Sequence, residues 1–156
     1  MDKKEFEKIV NSIANLGLAV FENTDEKNPE IDYLAIFSKS EDEYKKLEKI
    51  AESLGEEMDK ENHKTGRTFL LDEPMKTLAG VLTSVKVRLP DATRPQRGAP
   101  DFRVQNYQQF KEKYLQSSGN FTLMVRSDYE MIEIKGVDVL VYIPSKTLSD
   151  RINLQK

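Results

Sequence analysis

The chain contains no cysteine. Disulfides, thiolate zinc sites, iron–sulfur clusters and cysteine nucleophiles are thereby excluded, while the redox compartment stays open. Histidine occurs once, at His63. A metal site built on two histidines of one chain is impossible, and so is a pair of catalytic histidines. No run of about eighteen apolar residues is present, which excludes a transmembrane helix. The opening Met1-Asp2-Lys3-Lys4-Glu5 leads into an amphipathic pattern with acids inside it. No signal peptide is expected from such a start, and a cytoplasmic location is. An excess of positive charge is also missing, with 24 basic residues against 27 acidic and a net charge of -3. There is no global basic field, so neither nucleic acid nor membrane is expected as a partner. Walker loops, GxGxxG, HExxH and GxSxG are absent.

What is present suits one soluble domain. The length is 156 residues, of which 38% are hydrophobic and 33% charged. A chain of this size buries about 70% of the surface its unfolded form exposes, enough for a core. Phe6, Ile9, Val10, Ile13 and Leu16 recur at helical spacing, predicting a helix over about residues 2–18 with Gly17 near its end. The polar stretch from Glu22 to Pro29 reads as a linker, so residues 1–23 form a helix and linker ahead of a domain over 30–156.

Ile31 to Phe37 reads as a strand. Ser40-Glu41-Asp42-Glu43 is a capping box, and Tyr44, Leu47, Ile50, Ala51 and Leu54 share one helical face behind it. Strands are expected at Glu56–Asn62, Arg67–Asp72 and Gly80–Leu89, and a crossover loop at Pro90–Pro100. The pattern then restarts. Asp101–Gln105 is a short strand, and Asn106-x-x-Gln109 caps a second helix carrying Tyr107, Phe110 and Tyr114. Strands at Phe121–Arg126, Tyr129–Ile134 and Val137–Ile143 follow, with a terminal turn at Thr147–Ile152. The order is a helix, then β-α-β-β-β twice, in units of about 31–90 and 100–144: a repeat of organisation rather than of letters.

Two successive units of this kind resemble the plan of the vicinal-oxygen-chelate superfamily, the glyoxalase and extradiol-dioxygenase relatives. The stretches Ile31-Asp32-Tyr33-Leu34-Ala35-Ile36, Gly66-Arg67-Thr68-Phe69-Leu70-Leu71-Asp72-Glu73-Pro74, Val87-Arg88-Leu89-Pro90 and Gly98-Ala99-Pro100-Asp101-Phe102-Arg103-Val104 are similar to the YecM-like branch. The resemblance implies an α+β fold, two βαβββ units forming one curved mixed sheet, bowl-like, with an N-terminal helix added. Relatives place a divalent metal on the bowl wall, held by His or Glu from the first and last strand of each unit at about 2.0–2.3 Å. Carried over, those positions are Tyr33, Arg88, Asp101 and Leu140. A guanidinium has no lone pair and repels a cation. The resemblance therefore implies the fold without the metal, and no cofactor is expected.

Alternation places Tyr33, Lys86, Arg88, Asp101, Arg103, Asp138 and Tyr142 on the concave face, and Arg67 is a further candidate to point there. Tyr33, Arg88 and Asp101 are the catalytic candidates. Arg67, Lys86, Arg88, Arg103 and Tyr142 are the ligand-binding candidates, suited to a small polar or anionic molecule. Against this stands an ion pair of Arg88 with Asp101 that replaces the metal and only holds the bowl shut; that pair is the preferred expectation. His63 sits in a turn, where histidines are usually solvated. Arg94-Pro95-Gln96-Arg97-Gly98 is a basic loop able to clamp a phosphate, or merely an ordinary loop. Glu130 and Glu133 fall on opposite faces and form no paired-carboxylate site. Three functions remain open: a metal-free binding domain; a lyase or isomerase using Tyr33, Asp101 and Arg88; and an interaction module with the first helix as a dimerising arm, hence a homodimer.

Overall fold

The computed structural model describes residues 1–61, 63–117, 119–148 and 150. Its elements are α1 (Lys3–Val20), a 3-10 turn (Phe21–Asn23), β1 (Glu30–Phe37), α2 (Glu41–Leu54), β2 (Gly55–Met58), β3 (Gly66–Thr77), β4 (Gly80–Arg88), β5 (Gly98–Arg103), α3 (Tyr107–Tyr114), β6 (Phe121–Val125), β7 (Glu130–Lys135) and β8 (Leu140–Pro144). All eight strands form one curved, unclosed sheet in the order β2-β3-β4-β1-β5-β8-β7-β6. The first and last strands of each unit run parallel, β1 with β4 and β5 with β8, while β1 and β5 join the units antiparallel. This is the expected pair of βαβββ units in a mixed sheet. Part of the expected turn at Thr147–Ile152 lies outside the described residues.

Caps set the helix starts. Asp2 Oδ1 accepts from Glu5 N at 2.9 Å, Ser40 Oγ from Glu43 N at 3.1 Å and Asn106 Oδ1 from Gln109 N at 3.0 Å. The helices cover one sheet face. Phe6, Val10, Ile13 and Ala14 of α1 are fully buried, as are Leu47 and Ala51 of α2, against Leu34, Ile36, Val85, Val87 and Phe102. The opposite face carries a separate small cluster of Ala35, Phe37, Ala99 and Leu140, with Tyr33 and Tyr142 beside it. Period-two alternation thus sorts each central strand into a helix side and an open side.

The residues read as a linker are fastened down. Phe21 is buried and meets Phe102 edge-on at 5.1 Å. The Asp25 N–H donates to Tyr114 Oη at 2.7 Å, and Lys113 pairs with the Asp25 carboxylate.

Boundaries differ from the sequence reading for local reasons. Gly17 does not stop α1; it lets the helix cross β5, since a Cβ there would meet Pro100 Cγ at 2.7 Å and the Phe102 ring at 2.8 Å. β5 begins at Gly98, before the proline expected to end the loop. Pro100 lacks an N–H, and the β5–β8 ladder skips it, pairing only Asp101 with Tyr142 and Gly98 with Val139. β3 runs past Pro74 because its register slips between Leu70 and Met75. β8 begins at Leu140, since Asp138 adopts a left-handed φ of 58° in the turn before it.

The Gly17 crossing gives a stability prediction. Alanine normally favours a helix interior by about 1 kcal/mol over glycine. At Gly17 overpacking of about 1–3 kcal/mol opposes that gain, so Gly17→Ala should lower the urea midpoint. A variant more stable than wild type would contradict the close packing of α1 on β5.

Candidate functional site

The open side of the sheet is a cavity of about 900 Å³. Strand register builds it. Ala35 lies beside Lys86 and Phe37 beside Arg88 across the β1–β4 pair, while Tyr33 faces Asp101 and Ala35 faces Ala99 across the β1–β5 pair. Asp101 in turn neighbours Tyr142 of β8. The candidates Tyr33, Lys86, Arg88, Asp101 and Tyr142 all line this cavity.

Arg67, Arg103 and Asp138 do not. Arg67 is registered with Val87, whose side chain is buried on the helix side, so the arginine points to α2 rather than into the bowl. It pairs with Glu48 at 3.0 Å, Glu57 at 3.0 Å and Glu52. Thr68 takes the bowl-facing place. The burial of Phe69, two residues along, already encodes this parity. Arg103 is held at the strand end, where its Nη2 donates to Asp32 Oδ1 at 2.8 Å and to Thr147 Oγ1 at 3.3 Å. Asp138 lies exposed in the turn before β8. His63 is exposed and outside the cavity lining.

Arg88 and Asp101 both face the bowl, yet the expected ion pair is not formed. The reason is the central strand. Arg88 is level with Phe37 and Asp101 with Tyr33, on opposite flanks of β1. Four residues of strand separate those levels by about 13 Å. The Arg88 guanidinium instead sits over the Phe37 ring, 5.1 Å from its centroid.

The basic loop divides. Arg97 is structural: its Nη1 donates to Glu43 Oε1 at 2.7 Å and to the Phe37 carbonyl at 3.1 Å. The Lys39 ammonium anchors the same loop through the carbonyls of Pro95 at 2.6 Å and Gln96 at 2.8 Å. Arg94 turns into the cavity and donates from Nη1 to Tyr142 Oη at 3.2 Å. Tyr142 Oη donates to Glu133 Oε2 at 2.9 Å, while Glu130 accepts from Tyr107 Oη at 2.7 Å on the helix side. The two glutamates do lie on opposite faces. Sequence reasoning missed Arg94 as a bowl residue, and also Met124 and Met131. The alternation of Met131 and Glu133 against the buried Ile132 and Ile134 was the available signal for Met131.

The charges of the cavity are unbalanced. Lys86, Arg88, Arg94, Arg126 and Lys146 line it, against Asp59, Asp101 and Asp128. Burial, reinforced by the neighbouring Arg94, holds Arg88 below the usual guanidinium range, and Asp91 only partly offsets this. Burial, reinforced by Arg88, also lowers Lys86, whose Nζ donates to Thr65 Oγ1 at 2.7 Å. Burial and the Glu133 carboxylate raise the Tyr142 phenol. No carboxylate lies within ion-pair distance of Lys86, Arg88 or Arg94 among the described residues, whereas Arg67, Arg97 and Arg103 all have one.

These residues do not fit a divalent ion. Tyr33, Arg88, Asp101 and Leu140 offer two oxygen donors and a permanent cation. The registers also regroup the positions. Ala35 is level with Lys86 across the β1–β4 pair and Asp101 with Tyr142 across the β5–β8 pair. Those four positions supply a methyl, an ammonium, a carboxylate and a phenol. Among the described residues no group of three or more His, Asp or Glu converges as a metal site.

No family model and no curated protein matches the chain. A solved structure described as "Structural Genomics, Protein EC4020" is similar in fold, with a TM-score of 0.66 over 96% of this chain and 92% of that one, at 12% identity. Among the described residues no helix is long and apolar enough to cross a membrane.

Two outcomes test these electrostatics. The lowered Lys86 pKa disfavours the charged form in the fold, so the penalty is fully present below the folded pKa and disappears above the unfolded one. Lys86→Met should therefore be more stable than wild type at neutral pH, with the advantage fading as pH rises towards about 10.4 and gone above it. An advantage that grows with alkalinity would refute it. On the helix side, Arg67 lowers Glu57, a contribution present above the usual carboxylate pKa and lost as pH falls through the depressed value. Arg67→Leu should destabilise by about 1–2 kcal/mol at pH 7, the partial exposure of the cluster limiting the loss. The deficit should shrink on acidification in chemical denaturation; a deficit independent of pH would count against the cluster.

Proposed function

We propose that this protein is a metal-independent binding domain of the vicinal-oxygen-chelate superfamily, of the YecM-like branch, whose bowl takes a small anionic molecule. One observation carries the reading. Lys86, Arg88 and Arg94 are turned into the bowl from β4 and the following loop, and among the described residues none of the three has a carboxylate at ion-pair distance. Like charges held together in a half-buried site raise one another's energy, and an incoming anion relieves this. Had these cations served only to shape the bowl, matched carboxylates of the kind that Arg67, Arg97 and Arg103 possess would be expected.

The superfamily assignment rests on the two-unit topology and on the motifs quoted above. Ligand capture, rather than metal chemistry, is supported by Arg88 and Leu140 at two of the four positions where the resemblance places metal ligands. Arg88 and Arg94 supply planar donors suited to carboxylate or phosphate oxygens, and Lys86, held by Thr65, a compact point charge.

Thermal midpoints should rise with phosphate and with citrate, equally in the presence and absence of EDTA. Arg88→Leu and Arg94→Leu should each weaken anion affinity about 10- to 100-fold, the magnitude of one charge-assisted hydrogen bond. The Arg88→Leu apoprotein should be as stable as wild type or more so. Anion stabilisation that survives both substitutions, or that requires a divalent metal, would overturn the proposal.

A further inference from the structure

The walls of the bowl are chemically unlike. On the first unit's wall, Thr68 of β3 is the cross-strand partner of Lys86, and Arg88 follows at the rim with Arg94 from the loop. On the second unit's wall, Met124 of β6 is the cross-strand partner of Met131 of β7, so two thioether side chains lie side by side on the cavity face. Met58 of β2 lines the cavity from the first unit, and Arg126, Asp128 and Lys146 line it from the second, so the contrast between the walls is one of degree and three of the five methionines in the chain border this one space. The two-fold repeat did not require this contrast; the strand scaffolds are equivalent, and only the side chains differ.

Between the walls the floor is low. Ala35 and Ala99 face each other across the central strand pair, both buried, and neither fills the space above it. Unbranched, polarisable methionine side chains adapt to apolar partners of varied shape. A cationic wall, a methyl floor and a thioether wall in sequence are complementary to a molecule with an anionic head and an apolar body.

We infer that the bowl's ligand is a small amphiphilic acid, whose carboxylate or phosphate head meets Lys86, Arg88 and Arg94 and whose apolar body crosses Ala35 and Ala99 to lie on Met124 and Met131. The inference rests on the anion-binding reading and narrows it. A purely inorganic anion would leave the methionine wall without a role, and a neutral apolar molecule would leave the cations without one.

The test is a set of dissociation constants for the full chain with acetate, butyrate, hexanoate and octanoate, together with inorganic phosphate, phenyl phosphate and the neutral octanol. Affinity should rise about fourfold per added methylene as each leaves water. Phenyl phosphate should bind more tightly than inorganic phosphate, and octanol more weakly than octanoate. The ratio between the carboxylate and phosphate arms distinguishes the head group. Met124→Gln combined with Met131→Gln should flatten the series while leaving acetate and inorganic phosphate unchanged. Arg88→Leu should weaken every anionic member. A flat series in which phosphate still binds would overturn the amphiphile and leave the anion site standing. Octanol matching octanoate would overturn the role of the cations as head-group site. Binding of no anion at all would remove both readings. The wild-type series needs no substituted chain, so a folding defect in a variant cannot mask the answer.

Discussion

The antiparallel pairing of β1 with β5, from Glu30 opposite Arg103 to Ile36 opposite Gly98, is the constraint on which the rest of the molecule depends. It joins the units edge to edge and makes a single sheet from two four-stranded halves. It fixes which residues look into the bowl, since a one-residue slip of β1 would turn Tyr33 and Ala35 to the helix side. It also receives α1, whose close approach needs the missing side chain of Gly17 over Pro100 and Phe102. The first helix is thereby part of the core, with Phe6, Val10, Ile13 and Ala14 wholly buried.

The same pairing explains the charge distribution. Because β4 and β5 flank β1 on opposite sides, at levels four residues apart, Arg88 cannot reach Asp101. Outside the bowl the arginines are matched: Arg67 by the carboxylates of Glu48, Glu52 and Glu57, Arg97 by Glu43, and Arg103 by Asp32, whose side chain is only 2% exposed. Inside it Arg88 rests on the Phe37 ring and Arg94 on the Tyr142 hydroxyl. Neither contact neutralises charge. An aromatic face and a phenol hold a guanidinium in place while leaving its donors for a ligand.

The repeat, the caps and the strand parities were legible in the sequence because they depend on short-range patterns: Ser40 with Glu43, Asn106 with Gln109, and the alternation around Val85, Val87 and Phe102. Five candidates reached the bowl by that logic. Arg67 failed because the parity of Phe69 was not carried two residues back. Asp138 failed because strand parity was extended into a turn where the backbone is left-handed. Arg103 failed through a register irregularity between Ile31 and Tyr33, which brings Asp32 within its reach. The Arg88–Asp101 pair was beyond local pattern altogether, since it depends on the relative registers of three strands. Arg94 and the methionine pair depend likewise on a loop path and on long-range pairing.

The central claim is that the bowl cations are available to a ligand while the arginines elsewhere are committed. Side-chain Nε–H resonances of the arginines, followed by NMR during phosphate titration, address it most directly. The account predicts saturable shifts at Arg88 and Arg94, with Arg67, Arg97 and Arg103 unmoved. Shifts that are weak, unsaturable and uniform over all the arginines, or that appear first at the paired ones, would contradict it.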